Sequence, residues 1–179
     1  MKITIPDPSL VLLIGIAGAG KSTFAREWFA ATEIVSSDQC RALVCDDENN
    51  QAVNQEAFAI LHLIAASRLA HRKLTVIDAT NVQPQARAQL LQLAREQNVP
   101  TVALVFNFAV ELCLQRNAAR SHRVVPADVV RQQHHDLQQS LPLFADEGFH
   151  SIFRLASPDE AAKVTMQRKK SRRRKSEFK

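Results

Sequence analysis

Residues 15–23 read GIAGAGKST, the G-x-x-x-x-G-K-[ST] pattern of a phosphate-binding P-loop, and this stretch decides the fold. Residues 10–14 before it, LVLLI, are a fully apolar run suited to a buried parallel strand. Residues 22–31 after it read as a helix carrying Phe24, Trp28 and Phe29. Strand, loop and helix therefore follow in the order the motif requires. The chain holds only four glycines, and Gly15, Gly18 and Gly20 are three of them, so this is where backbone approaches another group closely. Successive backbone N–H groups and the positive end of the following helix form a concave anion site. Gly15, Gly18, Ala19, Gly20 and Thr23 would build that cradle. Lys21 would reach the β- and γ-phosphates as a cation, and the Ser22 hydroxyl would ligate the Mg2+ that bridges them. The expectation is nucleoside triphosphate binding, with the acceptor of the phosphate still open.

Working outward, residues 33–35 form a short apolar run that ends in Ser36, Ser37 and Asp38. This reads as a strand delivering a carboxylate at its carboxyl end, where open α/β sheets bind their ligands. Asp38 would serve either as catalyst or as N-cap of the next helix, and Arg41 follows one helical turn on. Residues 51–72 carry a helical pattern with Phe58, Leu61, Ala65 and Leu69 on one face. The next strand, within LTVIDATN at 74–81, ends in Asp78. An acid there suits the Walker B role beside Mg2+; the alternative is a turn cap. Pro84 opens another helix, 102–108 and 150–155 read as further strands, and Ser157 and Glu160 have capping-box spacing. Apolar strands alternating with helices predict an α/β fold: a central parallel sheet of about five strands with helices on both faces.

Length and composition agree with one folded unit. The chain has 179 residues, 46% of them hydrophobic, enough for a single core over residues 1–167. Cys40, Cys45 and Cys113 are odd in number and form no C-x-x-C pair, which favours reduced thiols and a cytoplasmic setting over zinc or disulfides. No targeting segment or membrane-length apolar run is visible. The formal net charge is +5, but residues 168–179 hold eight Lys or Arg against the single acid Glu177, so the body is mildly acidic. Residues 168–179 read as a solvated, disordered basic tail, either attracted to nucleic-acid phosphates or functionally idle.

A second concentration of chemistry spans about 109–141, read as a helical lid. Arg116, Arg120 and Arg123 occur with no acid among them, and Arg131 follows in the next helix. A helix from Glu111 presents the first three, so Arg116 and Arg120, four apart, share a face and converge on one anion. A phosphate clamp and a solvated basic face are the two readings. His122, His134 and His135 lie nearby, but adjacent His134 and His135 point to different helix faces, which argues against metal ligation.

Taken together, GIAGAGKSTFA, VSSDQCRALVCDDENNQA and LTVIDATNVQPQAR, with the arginines 116, 120 and 123, resemble the 5′-kinase module of bacterial polynucleotide kinase-phosphatase. The likeness spans about residues 10–141. It implies a P-loop phosphotransferase using ATP and Mg2+, bound through Lys21 and Ser22, to phosphorylate the 5′-OH of RNA or DNA ends. It implies Asp38 as general base, Arg41 as contact to the acceptor's neighbouring phosphodiester, and Arg116, Arg120 and Arg123 as lid arginines. The family's enzymes usually carry phosphatase and ligase domains after the kinase, so the expectation is either an independent kinase or one that works with a separately encoded repair phosphatase or ligase. Two other readings stand beside this one. They are a small-molecule kinase acting on a sugar, nucleoside or antibiotic hydroxyl, and an ATP-responsive RNA-binding module.

Overall fold

A computed structural model of the chain describes residues 1–121 and 123–170. The apolar runs become strands β1 (Lys2–Asp7), β2 (Leu10–Gly15), β3 (Ile34–Ser36), β4 (Thr75–Asp78), β5 (Thr101–Phe106), β6 (Ser151–Leu155) and β7 (Thr165–Lys170). Between them lie α1 (Lys21–Trp28), α2 (Ser37–Cys45), α3 (Asn54–Ala70), α4 (Pro84–Glu96), α5 (Val110–Ala118), α6 (Ala127–Ser140) and α7 (Pro158–Ala162). Five strands form one parallel sheet in the order β3-β4-β2-β5-β6, covered by helices on both faces. Every residue of β2 and β5 is buried, as expected of central parallel strands that meet no water on either face.

Register explains why the chemistry collects at one end of the sheet. Leu13, Asp78 and Ser36 stand in one row across β2, β4 and β3, and Gly15 pairs with Phe106 of β5. The P-loop, the start of α2 and the loop after β4 therefore leave the sheet side by side, at the carboxyl ends of its strands.

Three expectations need correction. The helix carrying Arg116 ends at Ala118, so Arg120 lies beyond it and does not share a helix face with Arg116. Buried Asn117 ends the helix. Its Nδ2 donates to Val125 O at 2.7 Å and its Oδ1 accepts from Val125 N at 3.1 Å, which closes a loop over the intervening residues. The N-cap of α2 is Ser36, whose hydroxyl accepts from Gln39 N at 3.5 Å, so Asp38 is not the cap. The basic tail does not begin at 168, because Arg168, Lys169 and Lys170 belong to β7, which pairs in parallel with β1. The remainder of that tail, and His122, lie outside the described residues.

The β1–β7 pair is held by its apolar side and one ion pair. Ile3 and Ile5 are fully buried. Arg168 donates to both Glu33 carboxylate oxygens at 2.7 Å and to Trp28 O at 3.3 Å, with its guanidinium 5.7 Å from the Phe29 ring centre. Burial raises the Glu33 carboxyl, but the Arg168 hydrogen bonds and the Ala30 N–H outweigh it and hold the group below the ordinary carboxylate value. A carboxyl lowered in the folded state stabilises the protein above its unfolded pKa, and that stabilisation is lost as pH falls through the folded pKa. Glu33→Gln is expected to lower stability at pH 7 by up to about 1 kcal/mol, the partly exposed pair being screened. In thermal melts across pH, the gap between the two proteins should close at acid pH, below the usual carboxylate range; a gap independent of pH would contradict the assignment.

Candidate active site

The P-loop is shaped by what packs behind it. Gly18 has φ +84°, and a Cβ there would lie 2.1 Å from Cys113 O of α5. The turn thus requires glycine for both backbone angle and space. At the other end of the loop, a Cβ on Gly20 would have Arg116 Nη1 as its neighbour at 4.0 Å, which sets the Arg116 guanidinium beside the start of α1. Lys21 is buried, and its Nζ donates to Ile16 O at 3.0 Å. Burial pushes its ammonium down to about 8, Arg120 and Arg123 act in the same direction, and Asp78 and Cys113 oppose them.

A cavity of about 550 Å3 opens from the loop. Lys21, Ser22, Asp38, Arg41, Asp78, Arg120 and Arg123 all line it. Seven candidate residues from four separate stretches of sequence therefore share one space. Arg116 and Thr23 are not part of that lining, and Thr23 is exposed.

Asp38 sits in the first turn of α2 with both carboxylate oxygens engaged. Oδ1 accepts from Arg41 Nη2 and Oδ2 pairs with Arg123 Nη1. The two partners are anchored very differently. Arg41 is buried, one helical turn from Asp38, with Nε donating to Glu48 O at 2.7 Å and Nη1 to Asn54 Oδ1 at 3.0 Å. Arg123 comes from the loop that Asn117 closes and, among the described residues, pairs with no other acid. Burial lowers the pKa of both guanidinium groups, though each begins from a value far above neutrality. Arg41 is thereby a fixed brace for Asp38, while Arg123 is the partner that an incoming group can replace.

The loop after β4 is fixed from several sides. Gly15 N donates to Thr80 O at 2.9 Å, and Asn81 Nδ2 donates to Leu13 O at 2.8 Å. Arg87, fully buried on α4, donates through Nη1 to Asn81 O and Val82 O at 2.8 and 2.7 Å. Its Nε and Nη2 hold both oxygens of Glu147, and its guanidinium lies 4.5 Å from the Phe144 ring centre. Asp78 is set in place by this network.

Sequence reasoning passed over Asn117 and Gln133, and held Arg87 only as the last residue of LTVIDATNVQPQAR, with no role assigned. Their signal was a polar side chain on the buried seam of a helix, as with Gln133 between Val130 and Leu137 of α6. His134 and His135 each meet a glutamine one turn on, Gln138 and Gln139. Among the described residues no group of three or more His, Cys, Asp or Glu could hold a metal ion, and no helix is long and apolar enough to cross a membrane.

A phosphate-binding loop at the carboxyl edge of a five-stranded parallel sheet, sharing a cavity with strand-end carboxylates and arginines, defines a P-loop phosphotransferase fold of the kinase-like class. Residues 10–144 match AAA_33, an AAA domain, and the chain belongs to that family. Solved structures agree on the fold. One is the Pnkp1/Rnl/Hen1 RNA repair complex, at 22% identity and a TM-score of 0.67, with 78% of this chain and 47% of that chain covered. The chain thus spans about half the length of that relative. Kti12 of Chaetomium thermophilum in complex with ADP-AlF3 matches at 17% identity and a TM-score of 0.59, over 86% of this chain and 93% of that one. Shikimate kinase from Acinetobacter baumannii in complex with shikimate matches at 18% identity and a TM-score of 0.55, over 87% and 88%. The family implies ATP with a divalent metal as the ligands of the loop.

Proposed function

We propose that this domain transfers the γ-phosphoryl group of ATP to the 5′-hydroxyl end of an RNA or DNA strand, as a polynucleotide 5′-kinase serving nucleic-acid repair. The observation that carries this reading is Asp38, a carboxylate bracketed by Arg41 and Arg123 in the same cavity as Lys21 and Asp78. A base flanked by guanidinium groups suits a hydroxyl borne on an anion. Arg41 keeps two N–H hydrogens beyond those it donates to the protein, enough to hold a phosphodiester next to that hydroxyl. Beyond Asp38 the cavity wall offers Phe58, His62, Gln51 and Gln89, flat and amide-bearing surfaces of the kind that nucleotides use.

The residues fit ATP and Mg2+. Gly18 and Gly20 keep the loop narrow, Lys21 stands ready as a phosphate cation, and Ser22 and Asp78 face one space. Few protein ligands are expected for Mg2+, which is held largely by phosphates and water. Ser22, with Asp78 beside it, would hold Mg2+, which would supply positive charge to the phosphates. Asp38 accepts the hydroxyl proton as the acceptor oxygen bonds to phosphorus and the bond from phosphorus to ADP breaks. Lys21, Arg120 and Arg123 stabilise charge on the moving group, with Arg116 at the loop's far end. The likeness to an RNA repair complex supports repair enzymes as working partners, of which a phosphatase or ligase is our reading; the free cysteines suit a cytoplasmic setting.

The test is transfer of label from γ-labelled ATP with Mg2+ to 5′-OH RNA, 5′-OH DNA and a panel of small alcohols that includes shikimate. Labelled strand ends are the expected outcome. Label confined to the small alcohols, or to none of the acceptors, would overturn the reading.

A further inference from the structure

One side chain in the cavity touches the P-loop from outside it. Gln133 of α6 accepts the backbone N–H of Ala17 through Oε1 at 2.9 Å. A backbone N–H can be met only by the oxygen of that amide, so the orientation is set by chemistry. The Nε2 amine is left on the opposite branch, and neither of its hydrogens has an acceptor among the described residues. Gln133 lines the same cavity as Lys21, Arg120 and Arg123.

Its position is rigid. Val130 and Leu137, one turn to either side, are buried in the core. Gln138 Nε2 donates to Asn107 Oδ1 at 2.8 Å, and Ser140 Oγ donates to Val82 O at 2.7 Å. The helix is therefore stitched to the sheet ends along its inner face by contacts separate from those that hold Arg123. A fixed neutral donor is valuable where three cations already crowd, because it stabilises developing negative charge without adding repulsion.

We propose that Gln133 is a catalytic residue of phosphoryl transfer: clamped to Ala17 N–H through Oε1, it donates through Nε2 to the oxygens of the transferring phosphoryl group. This rests on the phosphotransferase reading above. The transfer itself is unchanged: phosphorus bonds to the acceptor oxygen, the bond to ADP breaks, and the proton goes to Asp38. Gln133 adds a donor that strengthens as charge spreads over the equatorial oxygens.

Two variants separate this role from simple bracing of the P-loop. Gln133→Glu keeps an acceptor for Ala17 N–H and loses the donor; Gln133→Met loses both. The readout is the ratio of affinities for ADP with aluminium fluoride and Mg2+ against ADP with Mg2+ alone, measured by calorimetry on the full chain. Both variants are expected to lower that ratio by roughly 10- to 100-fold, with kcat at saturating ATP falling in parallel. A wild-type ratio in either variant would overturn the assignment. Failure of the unmodified protein to bind the aluminium fluoride complex more tightly than ADP would instead strike at the phosphotransferase reading beneath it.

Discussion

Asp38→Asn is expected to lower the rate of phosphoryl transfer by roughly 10²- to 10⁴-fold while ATP affinity changes by no more than a few fold. The magnitude is that of a positioned general base. The split follows from position, because Asp38 stands at the start of α2 and its hydrogen-bond and ion-pair partners among the described residues, Ser37, Arg41 and Arg123, all lie outside the P-loop. The amide can still accept from Arg41 through its oxygen, so the first turn of α2 keeps its shape. The amide nitrogen meets Arg123 without attraction, which releases the loop closed by Asn117. Single-turnover transfer and nucleotide calorimetry on the same sample measure the two quantities. Equal loss in both would mean that Asp38 holds the nucleotide site together, and undiminished transfer would remove it from the chemistry.

Arg87→Met carries the largest expected effect on stability. Arg87 is fully buried and supplies four hydrogen bonds, two to the Glu147 carboxylate and two to the carbonyls of Asn81 and Val82. Removing one partner of such a pair leaves a carboxylate in a site with little water, at a cost of about 3–5 kcal/mol. For a chain of this length that corresponds to a melting point lower by roughly 10 °C. Arg87→Lys keeps the charge but cannot span Glu147 and the two carbonyls together, so it should recover only part of the loss. Urea unfolding of both variants decides it, and values within about 0.5 kcal/mol of the parent would show that the network is dispensable.

Much of the site was legible because its groups sit at strand ends. A buried parallel strand is a short apolar run, and a lone carboxylate closing one, as Asp78 closes TVID, stands out against it. Asp38 was visible for the same reason, although its competing role as a cap could be dismissed only when Ser36 proved to be the cap. Strands β1 and β7 were not legible. KITIPD contains a proline, and TMQRKK reads as charge; they become strands only because they pair with each other and bury Ile3 and Ile5. The arginines showed the opposite error. Spacing suggested one continuous helix face, but Asn117 bonds Val125 and turns the chain out of the helix, sending Arg116 to the P-loop and Arg120 and Arg123 to the cavity.

By itself, then, the sequence determined a phosphate-binding loop, the alternation that builds a parallel sheet around it, and the carboxylates at the ends of its strands. Those features are local: a loop of small residues, a run of apolar ones, an acid at a boundary. Only the tertiary structure decided which side chains converge. Arg41 braces Asp38 by reaching Glu48 and Asn54, Arg123 meets Asp38 across the cavity, and Gln133 comes to Ala17 from 116 positions away along the chain. Such partners are joined by strand register and helix docking, and neither spacing nor periodicity along the chain records that geometry.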